Sequence, residues 1–425
     1  MKRSLLLTLP LLFLTACFKH IPEKRDYLDF ASMWNPGEPQ ARYLQEMGRL
    51  FQEQGGMEVR FTFYGRDVLT KIRSRVLMQD VPDLVDQDFS ELSAAFIDSR
   101  SSLVEPLDNL FLRTPGPEEQ RRLMDIFPPG VLELYRIKGS LHFFPYIFNT
   151  SGFFYNEELF EQLGLGPPGN WDSFQTVQSA LADSGISAMA LDGSISFYNA
   201  YYYYWFVTVQ AGADMLLKAV EDESGEIWNH PVFLNAARQT AELGRESWFQ
   251  AGFAGSVFPA AQNRWAEGGI GTILCGSWIP AETQRLRNFS AGFFPFPAFG
   301  NAPASTAEAY LIGAAVPKGA RHSIEARKFL LFLMRKDNCL KLVEMTGNMS
   351  VRRDLNYPPQ LAPVNEYLNA APGFHAPYGG VWFRHPEWFQ KHFLPLSDML
   401  IFGRISPEEF IREMSRRTVV YSREQ

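Results

Sequence analysis

Residues 141–156, LHFFPYIFNTSGFFYN, constrain the fold more than any other stretch of the chain. Seven aromatic side chains (Phe143, Phe144, Tyr146, Phe148, Phe153, Phe154 and Tyr155) crowd into it, and Asn149, Thr150, Ser151 and Gly152 interrupt them midway. Each half is apolar, short and flanked by Pro or Gly, which reads as a buried strand and not as a helix. Two strands around a small polar spacer make either a hairpin or a passage. In a passage, a strand leaves one lobe, crosses a gap and starts a second lobe, with the spacer on the floor of a cleft. The stretch by itself leaves both open.

At 425 residues the chain exceeds what one core holds, so two domains are expected. Hydrophobic residues at 46% and charged residues at 20% are ordinary for a globular protein; the 14% aromatic share is not, and it gathers in runs such as YYYYWF and GFFPFPAF. The formal charge is −7, and −9 beyond residue 16, because residues 1–16 carry Lys2 and Arg3 and no acid. No Lys/Arg cluster stands out, which sets aside a nucleic-acid or anionic-membrane surface.

Met1-Lys2-Arg3, the apolar run Leu5–Leu14 and the small residues Thr15-Ala16 before Cys17 form a secretory signal too short to span a bilayer. An uncleaved anchor helix is the other reading. The Leu-x-Ala-Cys ending resembles a bacterial lipobox, which implies cleavage before Cys17 and its diacylation, and two acyl chains give stable attachment where one is marginal. Residues 1–16 are then signal peptide and 17–26 a lipidated tether. Cys275 and Cys339 remain, too few for a disulfide framework, and both are expected as buried thiols.

Tyr27–Trp34 alternates into a strand that ends at Asn35-Pro36-Gly37-Glu38-Pro39, and a helix to about Gln54 follows with Tyr43, Leu44, Met47, Leu50 and Phe51 on one face. Met57–Phe63 is a second strand. Asp67 reads as the cap of a helix striped by Leu69, Ile72 and Val76. Leu84-Val85 is a third strand, leading into Asp86, Gln87 and Asp88. Alternating strands and helices imply a parallel sheet, whose ligands sit beyond the carboxyl ends of the strands: Trp34–Glu38, Tyr64–Asp67 and Asp86–Asp88. Asn170 caps a helix Trp171–Ser184, and Ile186–Leu191 is strand-like. Tyr198–Val209 reads as a helix with Tyr202, Trp205 and Val209 on one face, and Ile270–Cys275 as a buried strand opening into Gly276-Ser277-Trp278. Phe293–Asn301 reads as a connector, Ala309–Pro317 as a strand, Ser323–Thr346 as one long helix, and Ser406-Pro407-Glu408-Glu409 as the cap of the last helix.

Most simple chemical signatures are missing. Gly271 to Ser277 has phosphate-loop spacing without the lysine, and neither His-Glu-x-x-His nor Gly-x-Ser-x-Gly occurs. His385 and His392 are two helical turns apart but lack further ligands, so solvent-facing histidines are the plainer reading. Glu38, Asp67, Asp86 and Asp88 could pair as glycosidase carboxyls, accept from sugar hydroxyls, or cap helices. Trp34, Trp205, Trp278, Trp382 and Trp388 lie at turns or element ends. Each is either core or a flat face for a pyranose ring, whose hydroxyls would meet Asp, Glu, Asn and Arg.

The lipobox, WNPGEPQ, GRDVLTKI, PDLVDQD, FFYNEELFEQLGL with NWDSF, GSWIP and GNMSVRRDL, in that order, resemble the extracellular family 1 solute-binding proteins of carbohydrate ABC importers, relatives of maltose-binding protein. The resemblance spans nearly the whole mature chain. It implies an α/β, two-lobe periplasmic-binding-protein fold of type II-like form, with three inter-lobe crossings near Phe148–Gly152, Phe296–Thr306 and Gly347–Val351. Lobe one would be 27–149 plus 300–346, and lobe two 150–299 plus 347–425. It implies no catalysis, no cofactor and no metal. The expected receptor is a monomer lipid-anchored to a bacterial membrane, at the periplasm or cell surface, delivering a mono- or oligosaccharide to an ABC permease. Carried over by position, the ligand set is Asn35, Glu38, Tyr64, Asp88, Asn149, Tyr202, Trp205, Ser277, Trp278, Arg352, Trp382 and Trp388. Where Asn149 stands, maltose-binding protein has an acid. A secreted glycoside hydrolase and a same-fold binder of iron, a polyamine or a peptide are the competing readings.

Overall fold

The aromatic stretch divides between two sheets in the computed structural model of the protein, which describes residues 25–97, 102–299 and 305–424. The signal peptide and Cys17 lie outside the described residues. Strands β1 (Leu28–Ser32), β2 (Val59–Phe63), β3 (Leu84–Asp88) and β4 (Phe144–Asn149) belong to lobe one; β5 (Ser151–Asn156), β6 (Ser187–Ala190), β7 (Ile270–Gly276) and β8 (Ala291–Phe294) belong to lobe two. The chain then returns through β9 (Ala307–Glu308), β10 (Tyr310–Ala315), β11 (Met349–Ser350) and β12 (Phe374–His375).

Lobe one's sheet has the order β11-β4-β10-β3-β1-β2, and lobe two's has the order β6-β7-β5-β8. β1 runs parallel to β2 and β3, while β10 is antiparallel to β3 and β4. β5 is antiparallel to both β7 and β8. Thus β4 and β5, separated by Thr150 alone, never pair with each other, and the passage is the arrangement adopted. Both halves are continuously buried because each is an inner strand of its own sheet.

Most elements follow their sequence signals. The first helix is Pro39–Glu53, burying Tyr43, Leu44, Met47 and Phe51. The helix Trp171–Asp183 starts with a reciprocal cap: Asn170 Oδ1 accepts from Ser173 N (2.9 Å) and Ser173 Oγ accepts from Asn170 N (3.1 Å). Asn170→Ala should cost about 1 kcal/mol of stability, read as a lower denaturant midpoint at unchanged slope.

Four elements depart from expectation. Asp67 precedes the helix Val68–Leu77 without a side-chain capping bond. Phe293-Phe294 belongs to β8, so the connector begins later. The long helix is two, Ser323–Leu333 and Lys336–Thr346, because Arg335 is extended (ψ 143°) and Asn338 Nδ2 takes the Phe332 carbonyl at 2.7 Å. Past the break expected at residue 347, β11 still bonds to β4 on lobe one's sheet. Lobe two is rejoined later: Tyr367, on the helix Ala362–Ala370, meets Phe293 (5.5 Å between centroids), and Tyr378, Trp382, Trp388 and Tyr421 belong to lobe two's core, while Phe383 turns to Phe89 and Tyr135 of lobe one. Cys275 and Cys339 are buried and free.

Candidate functional site

Strand ends from both sheets bring a group of rings together above the first crossing. Trp278 begins the helix Ile279–Glu282 directly after β7, and its half-buried ring lies 5.5 Å from that of Tyr310 at 54°. Tyr310 opens β10 and pairs in register with Asn149 at the end of β4. Tyr310 also stacks against Trp382 (6.1 Å, 19°), which packs on Phe197 at 4.8 Å. Lobe one thus contributes Tyr310, and lobe two contributes Trp278 and Trp382. Gly276 shapes this arrangement: a Cβ there would lie 1.9 Å from the Trp278 ring, so only glycine lets the indole fold back over the strand end.

Beneath the rings, the first crossing is tied to lobe two by hydrogen bonds. Ser277 N donates to the Thr150 carbonyl (2.8 Å), Thr150 N donates to Ser277 Oγ (3.2 Å), and Ser277 Oγ donates to Asn149 Oδ1 (3.2 Å). Asn149 Nδ2 is buried without a partner among the described residues. Trp205 Nε1 donates to Ser151 Oγ at 3.2 Å and its ring stacks on Phe296, bracing the crossing from below.

Carboxyls surround the rings. Asp88, at the end of β3, accepts from Glu91 N (3.1 Å), and burial pushes its pKa up to about 7, with the Glu91 charge adding to the effect. Burial also raises Glu91, to which Trp382 hydrogen-bonds, and Glu282, to which Gln262 donates. A carboxyl poised near neutrality both donates and accepts, which suits hydroxyl groups. Asp86 is different: Tyr146, Ser32 and the Met33 amide all bond to it, burial lifts it to about 6, and it serves to hold the loop after β1. Trp34 joins that network, donating to the Tyr146 hydroxyl at 3.0 Å, with the Arg66 guanidinium 4.7 Å over its ring. At the rim, Asn35 N donates to Glu38 at 2.8 Å and Arg66 pairs with Glu38 at 3.1 Å, which fixes the exposed loop.

The sequence-derived set therefore divides. Asp88, Asn149, Ser277, Trp278 and Trp382 come together, and Asn35 and Glu38 form a rim on lobe one. Tyr64 is held elsewhere: its hydroxyl bonds to Arg75, which pairs with Asp29 near the start of β1. Tyr202 is buried in lobe two against Phe249 (5.4 Å, T-shaped), because every side chain from Asn199 to Val209 of the helix Ser196–Ala211 is enclosed. Trp388 is fully buried between Trp228 and Phe393, within lobe two's aromatic core. Arg352 is 2% exposed and bonds Glu119, Asp354 and the Met334 carbonyl, which makes it a clamp inside lobe one. Tyr310, Tyr198 and Glu91 were not anticipated. Tyr198, half-buried, bonds to Trp278. A polar-tipped aromatic opening an otherwise aliphatic strand, as in AYLIGAAVP, is the one signal that could have marked Tyr310. Among the described residues no group of His, Cys, Asp and Glu is placed to hold a metal, and no helix is long and apolar enough to cross a membrane.

Residues 35–338 match the model of a family described as bacterial extracellular solute-binding protein. The chain is 25% identical over 223 residues to the diacetylchitobiose binding protein NgcE of Streptomyces coelicolor, a match covering 52% of this chain and 46%, about half, of that one. It is 24% identical to the multiple sugar-binding protein of Streptococcus mutans, over 69% of each chain. Among solved structures, the apo form of RafE from Streptococcus pneumoniae superposes with a TM-score of 0.73 at 18% identity, covering 94% of this chain and 99% of that one. The maltotriose binding protein of Thermus thermophilus gives 0.69 at 15% identity, covering 92% and 99%. At these identities the structural likeness speaks for the two-lobe α/β fold.

Proposed function

Because the chain belongs to the bacterial extracellular solute-binding protein family, we propose that it is an exported receptor that captures a carbohydrate between its lobes and delivers it to an ABC permease. The observation that carries this reading is the meeting of Trp278 and Trp382 from lobe two with Tyr310 from lobe one, beside Asp88 and Glu91. Flat rings take the C–H faces of a pyranose, and carboxyls take its hydroxyls. The names of the Streptomyces and Streptococcus relatives, a diacetylchitobiose binder and a multiple-sugar binder, point the same way.

The mechanism is hinge closure. The lobes part along the crossings, the sugar docks on one wall, and closure brings the second wall onto it. A ligand shifts this equilibrium only by its preference for the closed form, so the rings that meet across the gap supply the difference. The closed shape is then recognised by the permease, where ATP is spent. Catalysis is not part of this reading: Asp86 is committed to three hydrogen bonds inside lobe one, and Asp88 caps a helix. The protein acts as a monomer, held to the membrane by lipid on Cys17, and Cys17→Ser should move it from the membrane to the soluble fraction.

A thermal-shift screen against mono- and oligosaccharides, spermidine and ferric ion tests the ligand class. At one hundred times its Kd a ligand stabilises by about 2.7 kcal/mol, so a carbohydrate is expected to raise Tm by several degrees while the other two do not. A shift with spermidine or iron and none with any carbohydrate would overturn the reading.

A further inference from the structure

Glu308 lies where both lobes meet the hinge. It sits on β9, immediately after the second crossing, fully buried, with His375 of β12 beside it in register. Six tyrosines from the two lobes lie close enough to feel its charge: Tyr135 from lobe one, Tyr201 and Tyr204 from the helix Ser196–Ala211, Tyr310 from β10, Tyr367 from the helix Ala362–Ala370, and Tyr378 from the turn after β12. Of these, Tyr135 and Tyr378 donate their hydroxyls to the Ala309 and Phe197 carbonyls. Tyr201 Oη lies 3.4 Å from Oε1, and the Ser151 hydroxyl, on the first crossing, also bonds to the carboxyl. Oε2 has no partner among the described residues.

No lysine or arginine pairs with Glu308 among the described residues, and the register neighbour supplies no charge. His375 Nδ1 is held by Thr306 Oγ1 at 2.7 Å, and burial pushes the imidazole down to about 3, so it is neutral at physiological pH. The other charged groups near these tyrosines are Asp88, beside Tyr135 and Tyr310, Glu91 and Arg66, beside Tyr310, and Asp398, beside Tyr378. A carboxylate enclosed by neutral groups is costly, while the protonated acid donates one hydrogen bond and is not.

We propose that Glu308 is a proton-linked positioning residue of the hinge: closing the lobes seats its carboxyl in the neutral form, so closure takes up one proton and is favoured as pH falls. The inference rests on the capture mechanism above. The step is balanced: one O–H bond forms on Glu308, one breaks in hydronium or a buffer acid, and no electrons move. Burial lifts Glu308 from its ordinary 4.5 to about 7. The contribution to the closed state is therefore complete below the ordinary carboxylate range and is lost as pH rises through about 7.

The experiment uses the full chain without sugar, so its outcome is separable from that of the carbohydrate screen. Arg73→Cys and Glu161→Cys, both exposed and on different lobes, carry a fluorophore pair, and inter-lobe distance is followed from pH 8.5 to 5.5. The closed-to-open ratio should rise by up to about tenfold per pH unit around neutrality. Glu308→Gln, a permanent neutral mimic, should favour the closed form throughout and remove this step, leaving only what the other buried carboxyls, Asp86, Asp88, Glu91 and Glu282, contribute. Should that variant fail to fold, Tyr201→Phe, which deletes a hydrogen bond that stabilises the carboxylate, should move the midpoint to higher pH. A distance indifferent to pH in the unsubstituted hinge, a step unchanged in Glu308→Gln, or an unmoved midpoint in Tyr201→Phe overturns the proposal.

Discussion

Replacing Arg352 with alanine is expected to lower Tm by ~10 °C while leaving carbohydrate affinity within about twofold, a stability effect and not a binding one. The guanidinium is 2% exposed and its bonds join three segments. Nη1 meets Glu119 at 2.7 Å and the Met334 carbonyl at 2.7 Å, while Nε and Nη2 grip Asp354 in a two-pronged pair at 2.9 Å each. Met334 precedes the kink between the helices Ser323–Leu333 and Lys336–Thr346, and Glu119 also accepts from the Lys336 amide at 3.0 Å. Truncation leaves two carboxylates and a carbonyl without their donor, and removing one partner of a buried ion pair costs on the order of 3 kcal/mol. Thermal melting and titration calorimetry together decide the point. A variant that melts normally but loses tenfold or more in affinity would return Arg352 to the ligand.

Arg352 shows where sequence reasoning stopped. The two-lobe arrangement came from the ordered resemblance, since the stretch around Asn149–Gly152 leaves hairpin and passage open; the α/β pattern was legible because its signals are local, an amphipathic helix after each early strand and the Asn170 cap. Trp278 was legible for the same reason, since a glycine, a serine and a bulky ring at the end of a buried strand place the ring at the sheet's edge. What decides between cleft and core for a tryptophan or arginine is the tertiary partner, and that is not written beside it. Trp388 and Trp382 are six residues apart in one aromatic segment, yet the first is enclosed by Trp228 and Phe393 while the second stacks on Tyr310 across the lobes. Tyr202 shares a helix with Tyr198 and Tyr201, but a helix buried all round points one face at the site and the next into its own core. Tyr310 went unremarked because its role is created by Trp278 and Trp382, which approach from other parts of the chain.

Trp278→Ala should weaken carbohydrate binding by about 1–3 kcal/mol, roughly 5- to 150-fold in Kd, by analogy with other ring-stacking sites. Stability should change little, because the ring is half-buried and its closest ring partner, Tyr310, belongs to the opposite lobe. Gly276→Ala offers a sharper version that keeps the indole. The added Cβ would sit 1.9 Å from the Trp278 ring, so the side chain must swing off the strand end and away from Tyr310. If the ring works by position and not merely by adding apolar area, the two variants should lose comparable affinity, and combining them should cost little more than either alone. Fluorescence separates the cases further, since Trp278 emission should shift in Gly276→Ala even without sugar. Full affinity in Trp278→Ala would remove this ring from the site, whereas full affinity in Gly276→Ala alone would mean that the indole holds sugar from more than one pose.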